Sequence, residues 1–537
     1  MKRILNLMLL SLLAGMASAQ DTYESVELAA GDLNGTARYV GMGGALSALG
    51  GDITTMGTNP AGIALFRHNE IALTVGGVFT AEKGQLGHDA SRMSFDQAGI
   101  VFIMDQSDAS GRGLQYVNFG INYTKHRNHL GNLNVASVGG LDGGNFSQTW
   151  QIAGIANRAA ANFGLTRNVW PVLAYIFAPV YEGGVPKYDS YGHITNMTRS
   201  GAIEDVWIKD AKGNDVVTYN GVNAQSAAYQ RATYGSNSQF DFNLSFNVSN
   251  QYFWGLSLGV YSQNYKRQSF YAERRTDGNY YDILNWYDSK ADGFDIKLGF
   301  ICRPIDDSPF RFGVYVHTPI WYSMDDVNDW SLVYNNNNSS MDGYIQENPS
   351  SPSPFRYSYR TPWKFGLSLG HTIGKELAFG AEYEFTDPSS ARYYNEHWDS
   401  DADFAFINDK IKKYLRPQHT LKLGVEYKLV PEFALRLGYN LVSSPFKTDA
   451  FRPLDEYDFF ATETAYINWK DLHRITFGFG YRFKGGYFDL AYQYQSQNGD
   501  FYAFDGDYTD AGKYYSLAPT SVKNNRSQIL GTLGFSF

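Results

Sequence analysis

The chain has 537 residues, with 45 Lys plus Arg against 54 Asp plus Glu and a single cysteine, Cys302. A formal charge of −9 with both signs interspersed argues against a nucleic-acid partner, and one thiol cannot close an internal disulfide. Past the N-terminus no run is apolar enough for a transmembrane helix, yet 54 Gly, 40 Tyr and 36 Phe in a slightly polar chain point away from an ordinary soluble enzyme.

The first nineteen residues read as a secretory signal peptide. Lys2 and Arg3 form a positive region, Ile4 to Leu13 an apolar core, and Ala17-Ser18-Ala19 a small-x-small cleavage site before Gln20. The core is too short to span a bilayer, which takes about 20 residues. Residues 20–68 follow, dense in small residues: "RYVGMGGALSALGGDITTMGTNPAGIALF". Asn59 reads as an N-cap with Pro60 at the first helical position, where its missing N–H costs nothing. Gly41, Gly43, Gly44, Gly50 and Gly51 permit tight turns, and Ala45, Ser47 and Ala48 permit close packing. By local physics this is either a capped turn before a strand or a set of short helices packed in a confined space.

From residue 69 onward the dominant signal is alternation with period two. "FDFNLSFNV" (240–248) sets Phe240, Phe242, Leu244, Phe246 and Val248 against Asp241, Asn243, Ser245 and Asn247. "WGLSLGV", "LAFGAEYEF", "LKLGVEY", "ITFGFGYRF" and "FDLAYQY" repeat the pattern. The segments predict fourteen strands near 70–80, 92–105, 114–126, 237–250, 252–272, 289–304, 309–321, 356–372, 375–392, 417–430, 433–447, 470–484, 486–499 and 525–537. A soluble sandwich would also alternate, but segment length, aromatic residues at the strand ends and the alternation of short turns with long polar loops favour a transmembrane antiparallel β-barrel. An even strand number leaves both ends on the periplasmic side of a bacterial outer membrane. The last strand, "SQILGTLGFSF", ends on Phe537, which looks like the signal read by the outer-membrane assembly machinery. Outer-membrane lipid and lipopolysaccharide are then the surroundings.

Within this frame three places invite a ligand. The second strand loses its alternation at "AGIVFIM", so Val101 and Ile103 are candidates to face the lumen, as pocket lining or against the preceding segment. The long connection near 127–236 needs structure of its own. It carries an apolar stripe, Trp170, Leu173, Ile176 and Phe177, at helical spacing, which forms either a landing groove for an apolar ligand or the packed face of loop helices. His126 and His129 fall on opposite faces of an ideal strand, which disfavours a shared metal. Asp505, Asp507 and Asp510 resemble part of a calcium loop without its closing Glu. No serine sits in a nucleophile elbow with which His419 or His473 would pair, and there is no phosphate loop or dinucleotide fingerprint. Neither an enzyme nor a cofactor is expected.

The run Arg38, Met42, Gly43, Gly44, Ala45 leading to Asn59, Pro60, Ala61 resembles the N-terminal signature of the FadL/TodX family of outer-membrane transporters for hydrophobic compounds. The resemblance covers some thirty residues, between a signal peptide and a fourteen-strand barrel. It implies that residues 20–68 form a hatch inside the lumen. It further implies that a hydrophobic ligand, such as a long-chain fatty acid or an aromatic compound, passes by diffusion gated by the hatch or by an opening beside a kinked strand. FadL-like barrels acting in type IX protein secretion, and uptake of haem, are the alternatives left open.

Overall fold

Strands whose two faces differ in polarity must bury one face against water-filled or protein-filled space and leave the other to an apolar medium. A closed barrel in lipid does this with no exposed edge. The computed structural model describes residues 21–107, 112–141, 147–151, 223–275, 280–305, 307–335, 355–452, 454, 463–505 and 517–537, with short strand segments within 177–221 and at 344–347. Residues 1–20, where a signal peptide is expected, lie outside the described residues.

Fourteen antiparallel strands form the wall. They are β1 (Glu70–Thr80), β2 (Ser91–Asp105), β3 (Leu114–Asn128), β4 (Ala224–Val248), β5 (Tyr252–Arg275), β6 (Tyr280–Cys302), β7 (Arg311–His317 and Trp321–Asn335), β8 (Phe355–Arg360 and Lys364–Ile373), β9 (Leu377–Thr386 and Arg392–Tyr394), β10 (Gln418–Val430), β11 (Phe433–Val442), β12 (Tyr466–Phe483), β13 (Gly486–Tyr502) and β14 (Thr520–Ser536). Each pairs with the next, and β14 closes on β1 from Glu70↔Ser536 to Thr80↔Arg526. Phe537 then donates its N–H to the Asn69 carbonyl.

The predicted alternation is realised: Phe240 and Phe242 are exposed while Asp241 between them is fully buried, and Ile475 and Phe477 flank a buried Thr476. Exposed side chains such as Leu73, Phe95, Leu256, Leu367, Leu423, Leu437 and Leu533 form an apolar belt around the outside. Such a belt suits lipid.

Two features depart from the predicted strands. β4 begins at Ala224 and β6 at Tyr280, so the wall extends well past the apolar belt at the long-loop end; Gly131–Val135 continues the β3 line by pairing with β4. The long connection accordingly starts after Val135 and ends before Ala224, narrower than 127–236. Secondly, β7, β8 and β9 are each broken at the same level, at 318–320, 361–363 and 387–391. Each break holds a proline, Pro319, Pro362 or Pro388, which has no N–H to give the ladder. Thr318 and Thr361 repair part of the loss: their hydroxyls accept the N–H groups of Ile296 and Ile320 at 3.0 and 2.8 Å.

Candidate functional site: a plugged lumen with a cavity above the plug

The chain before β1 threads the lumen along its length. α1 (Thr22–Ala29) sits at the long-loop end, capped by Asp21, whose side chain accepts the Glu24 N–H at 2.6 Å. It packs through Leu28 and Tyr23 against a cluster that includes Tyr322, Tyr359, Tyr393 and Phe446, together with α3 (Ala405–Tyr414) of the β9–β10 connection. Residues 30–36 descend past β3, where Asp32 N–H bonds the His126 carbonyl. α2 (Ala37–Gly41) and two 3-10 turns, Ile53–Gly57 and Pro60–Leu65, then ring the interior of the membrane-spanning region before β1 starts at the short-turn end.

What admits this segment is a set of glycines in the wall. Gly370, Gly380, Gly424 and Gly438 are directly opposite one another across β8, β9, β10 and β11, forming a row without side chains. Against it lies the Met42–Leu49 backbone: a Cβ at Gly380 would overlap the Ala45 carbonyl, one at Gly424 the Met42 carbonyl, and one at Gly438 the Gly43 amide. Gly43 and Gly44 take φ of +63° and +81°, which a side chain would resist. A second glycine patch, Gly255 opposite Gly299, receives Asn59 and Pro60. A third, Gly99 and Gly120, receives Ile53 and Met56.

The motif residues thus all meet wall or hatch. Asn59 caps the second 3-10 turn through Ala61 N–H at 3.2 Å, with Pro60 at its first position; the sequence suggested a helix here, and the turn is the tighter 3-10 form. Met42, Ala45 and Ala61 are buried. Arg38 donates to Glu426 at 3.1 Å and to the Gly51 carbonyl at 2.8 Å. Glu426 also accepts from Arg436 at 2.6 Å, which in turn reaches Asp489 at 2.6 Å. One cation of the hatch is thereby tied into a buried ionic chain spanning β10, β11 and β13. Arg67 closes the short-turn end, donating to the Ala64 and Phe66 carbonyls and to Asn250, with its guanidinium 4.4 Å from the Tyr116 ring. Val101 is fully buried with Ile53, Met56, Ile63 and Phe66, and Ile103 packs on the same cluster; both contact the hatch, and neither lines the cavity described next.

Above this packed layer, toward the long-loop end, is a cavity of about 410 Å³ between α1, residues 30–34 and the wall. Its surroundings are mixed. Tyr23, Phe446, Trp469, Leu472 and Val442 supply apolar surface, while Arg127, Arg474, Arg526, Glu27 and Asp32 supply charge. Thr318, Thr361, Pro362 and Pro388 from the three strand breaks also line it, so the interrupted stretch of wall borders the cavity.

Glu27 of α1 accepts from Arg127 at 2.7 Å. Burial pushes its carboxyl up, but Arg127 and then His129 outweigh burial and hold it at about 2. Burial likewise raises the Asp32 carboxyl, yet Arg526, Arg127 and Arg474 together hold it well below the usual range.

The two histidines do not point to opposite faces. A register shift where Asn237 pairs Arg127 and Ser238 pairs Lys125 leaves His126 in a bulge, so both rings reach the cavity. His126 bonds Gln239 at 2.9 Å, and His129 lies 4.7 Å from the Tyr265 ring. No group of three or more potential metal ligands occurs among the described residues. Of the loop stripe, Trp170, Leu173 and Ile176 lie outside the described residues; Phe177 opens a short strand, Phe177–Pro179, so helical spacing does not carry through it. Asp507 and Asp510 are also outside the described residues.

The fold and site define a membrane-spanning β-barrel with its own N-terminal segment packed inside the lumen. In structure the chain is similar to a FadL homologue of Pseudomonas aeruginosa (13% identity, covering 95% of this chain and 100% of that one, TM-score 0.49). It is also similar to the toluene transporters TodX of Pseudomonas putida (12% identity, 95% and 99% covered, TM-score 0.45) and TbuX of Ralstonia pickettii (11% identity, 94% and 99% covered, TM-score 0.46). No family model and no curated protein matches the sequence.

Proposed function

We propose that this chain is an outer-membrane transporter that admits hydrophobic or amphipathic small molecules, such as long-chain fatty acids or aromatic compounds, by passive diffusion. The observation that carries this reading is the stacking of a closely packed N-terminal segment below a cavity that borders a broken stretch of wall. A general porin needs a continuous water path, and the close seating of the N-terminal segment on the wall glycines supports a closed lumen instead. A molecule with apolar surface can instead enter the cavity and leave by a shift of the hatch or through the wall at the β7–β9 breaks, where ladder hydrogen bonds are already missing. Diffusion down a gradient asks for no nucleotide or metal.

The test is a pair of measurements on the purified barrel. In planar bilayers the native protein is expected to give no steady ion conductance. In proteoliposomes it is expected to carry a labelled fatty acid or aromatic compound faster than protein-free vesicles do. Steady conductance without such uptake would contradict the proposal.

A further inference from the structure

Below the packed layer, at the short-turn mouth, three guanidiniums gather without an acid. Arg303 and Arg311 flank the last pair of β6 and β7, Cys302↔Phe312, on its turn side, so like charges stand beside each other across the two strands. That arrangement destabilises. Arg67, between the N-terminal segment and β1, completes the group. It donates to Asn250 at 3.0 Å, and the next residue of that turn, Gln251, accepts the Arg303 N–H at 2.9 Å. Burial holds the Arg67 guanidinium below its usual range; Arg303 pushes the same way, while Tyr116 and Asp105 oppose it. Among the described residues none of the three forms an ion pair with a carboxylate. Asp105 and Asp307 at the same rim are exposed, and Asp105 accepts from Ser107 instead.

Two of the three spend their hydrogen bonds on neutral carbonyls of the N-terminal segment. Arg67 donates to the Ala64 and Phe66 carbonyls at 3.0 and 2.9 Å. Arg311 donates through Nη1 to the Leu49 carbonyl, while its Nε is buried without an acceptor. These carbonyls belong to one edge of the segment, since the Gly51 N–H bonds the Gly62 carbonyl at 3.1 Å, and Gly51 itself is exposed. The Arg303 side chain is half-buried and makes no hydrogen bond among the described residues. Beside it on the β6–β7 turn, Ile305 is 56% exposed. A guanidinium keeps its charge at any physiological pH, and a carboxylate holds it more strongly than a carbonyl does.

We infer that this mouth docks an acidic peptide segment of a periplasmic partner, whose carboxylates take Arg303, Arg67 and Arg311 and draw the last two off the carbonyls of the N-terminal segment. Short turns of an outer-membrane barrel face the periplasm, so the partner comes from that side. Charge complementarity sets its chemistry, and arginines are the preferred residues for paired contacts with carboxylates. The exposed Ile305 adds an apolar contact that inorganic phosphate cannot use. Because Arg67 and Arg311 hold the lower edge of the segment, binding here loosens that edge. The site is on the far side of the packed layer from the cavity, so the transporter reading neither needs it nor falls with it.

The test uses the full chain in nanodiscs of neutral lipid, which leave both mouths open, and a fluorescent peptide of alternating glutamate and leucine. Fluorescence anisotropy is expected to show it binding at least about tenfold more tightly than its glutamine counterpart, and weakening as salt is added. Arg303→Glu should remove that preference and Arg303→Lys should keep part of it. Since the Arg303 side chain holds nothing in the fold, both variants are expected to fold, which heat-modifiable migration on a gel checks; the two-peptide comparison on the native chain stands without them. With the glutamate peptide bound, hydrogen exchange over residues 49–67 should rise. Equal binding of the two peptides, or a preference that survives Arg303→Glu, would overturn the inference. Displacement of the peptide by an equal concentration of inorganic phosphate would overturn the peptide assignment in favour of a small anion. Binding with unchanged exchange over residues 49–67 would overturn the loosening.

Discussion

The lumen is built in two layers that treat the same problem in opposite ways. In the layer nearer the short turns, backbone meets backbone: Met42 to Leu49 lies on the glycine row, Asn59 and Pro60 on Gly255 and Gly299, and the side chains between are buried. Charges there are consumed in the Arg38–Glu426–Arg436–Asp489 chain. In the layer nearer the long loops the wall carries tall side chains instead, space remains, and cations exceed their carboxylate partners. Close packing to interior density leaves no room for a passenger, and a roomy, mixed-polarity cavity invites one. On the proposed function, the lower layer closes the pore and the upper one receives the passenger.

The comparison can be broken most severely at the glycine row. Gly380→Val places side-chain atoms on the Ala45 carbonyl. Overpacking costs about 1–3 kcal/mol in ordinary cores and stands at the upper end here because backbone must move. The barrel should still fold, the hatch should be displaced, and planar-bilayer recordings should gain a steady conductance absent from the native chain. Next comes Arg38→Ala, which removes a cation from the ionic chain but leaves Glu426 its bond to Arg436. A loss of about 1–3 kcal/mol in hatch seating is expected, read as faster hydrogen exchange over residues 37–51 with the strand amides unchanged.

A substitution in the upper layer should act in the reverse sense. Val442→Trp fills cavity space, so uptake should fall severalfold with no conductance and thermal stability close to native. Asn59→Ala is milder, losing the cap on the second 3-10 turn for about 1 kcal/mol, and should appear as brief conductance bursts. The smallest effect concerns pH. Glu27 is held near 2 in the folded chain against an ordinary value near 4.5, so its contribution to seating α1 is fully present above about pH 4.5 and is lost as pH falls through about 2. Hydrogen exchange over residues 22–29 should therefore rise in acid, and Glu27→Gln should flatten that rise.

Much of the wall was legible because lipid imposes alternation. β1, β10 and β13 were readable to within a few residues at their starts, since Ile71, Leu421 and Phe488 all belong to clean period-two runs. The stretch from Ala224 to Ser236 was not: it stands beyond the apolar belt, and "AQSAAYQRATYGS" has no apolar face to show. The broken wall was written in Pro319, Pro362 and Pro388, each inside a predicted strand, but only strand register brings the three to one level. Register also hid the glycine row. Gly370, Gly380, Gly424 and Gly438 are ordinary strand glycines until pairing lines them up. His126 and His129 misled because an ideal strand has no bulge. Arg474 was visible as a charge at an inward strand position, yet its amide partners Asn440 and Gln495 are set by register alone.

The account's central claim is that the upper cavity holds a small molecule above a closed plug. Mass spectrometry of small molecules extracted from the barrel, purified in mild detergent, tests it most directly. The account predicts a hydrophobic or amphipathic compound enriched near one per chain over an unrelated control barrel, and depleted in the Val442→Trp variant. A native barrel that carries no such compound and retains a protein partner instead would contradict it.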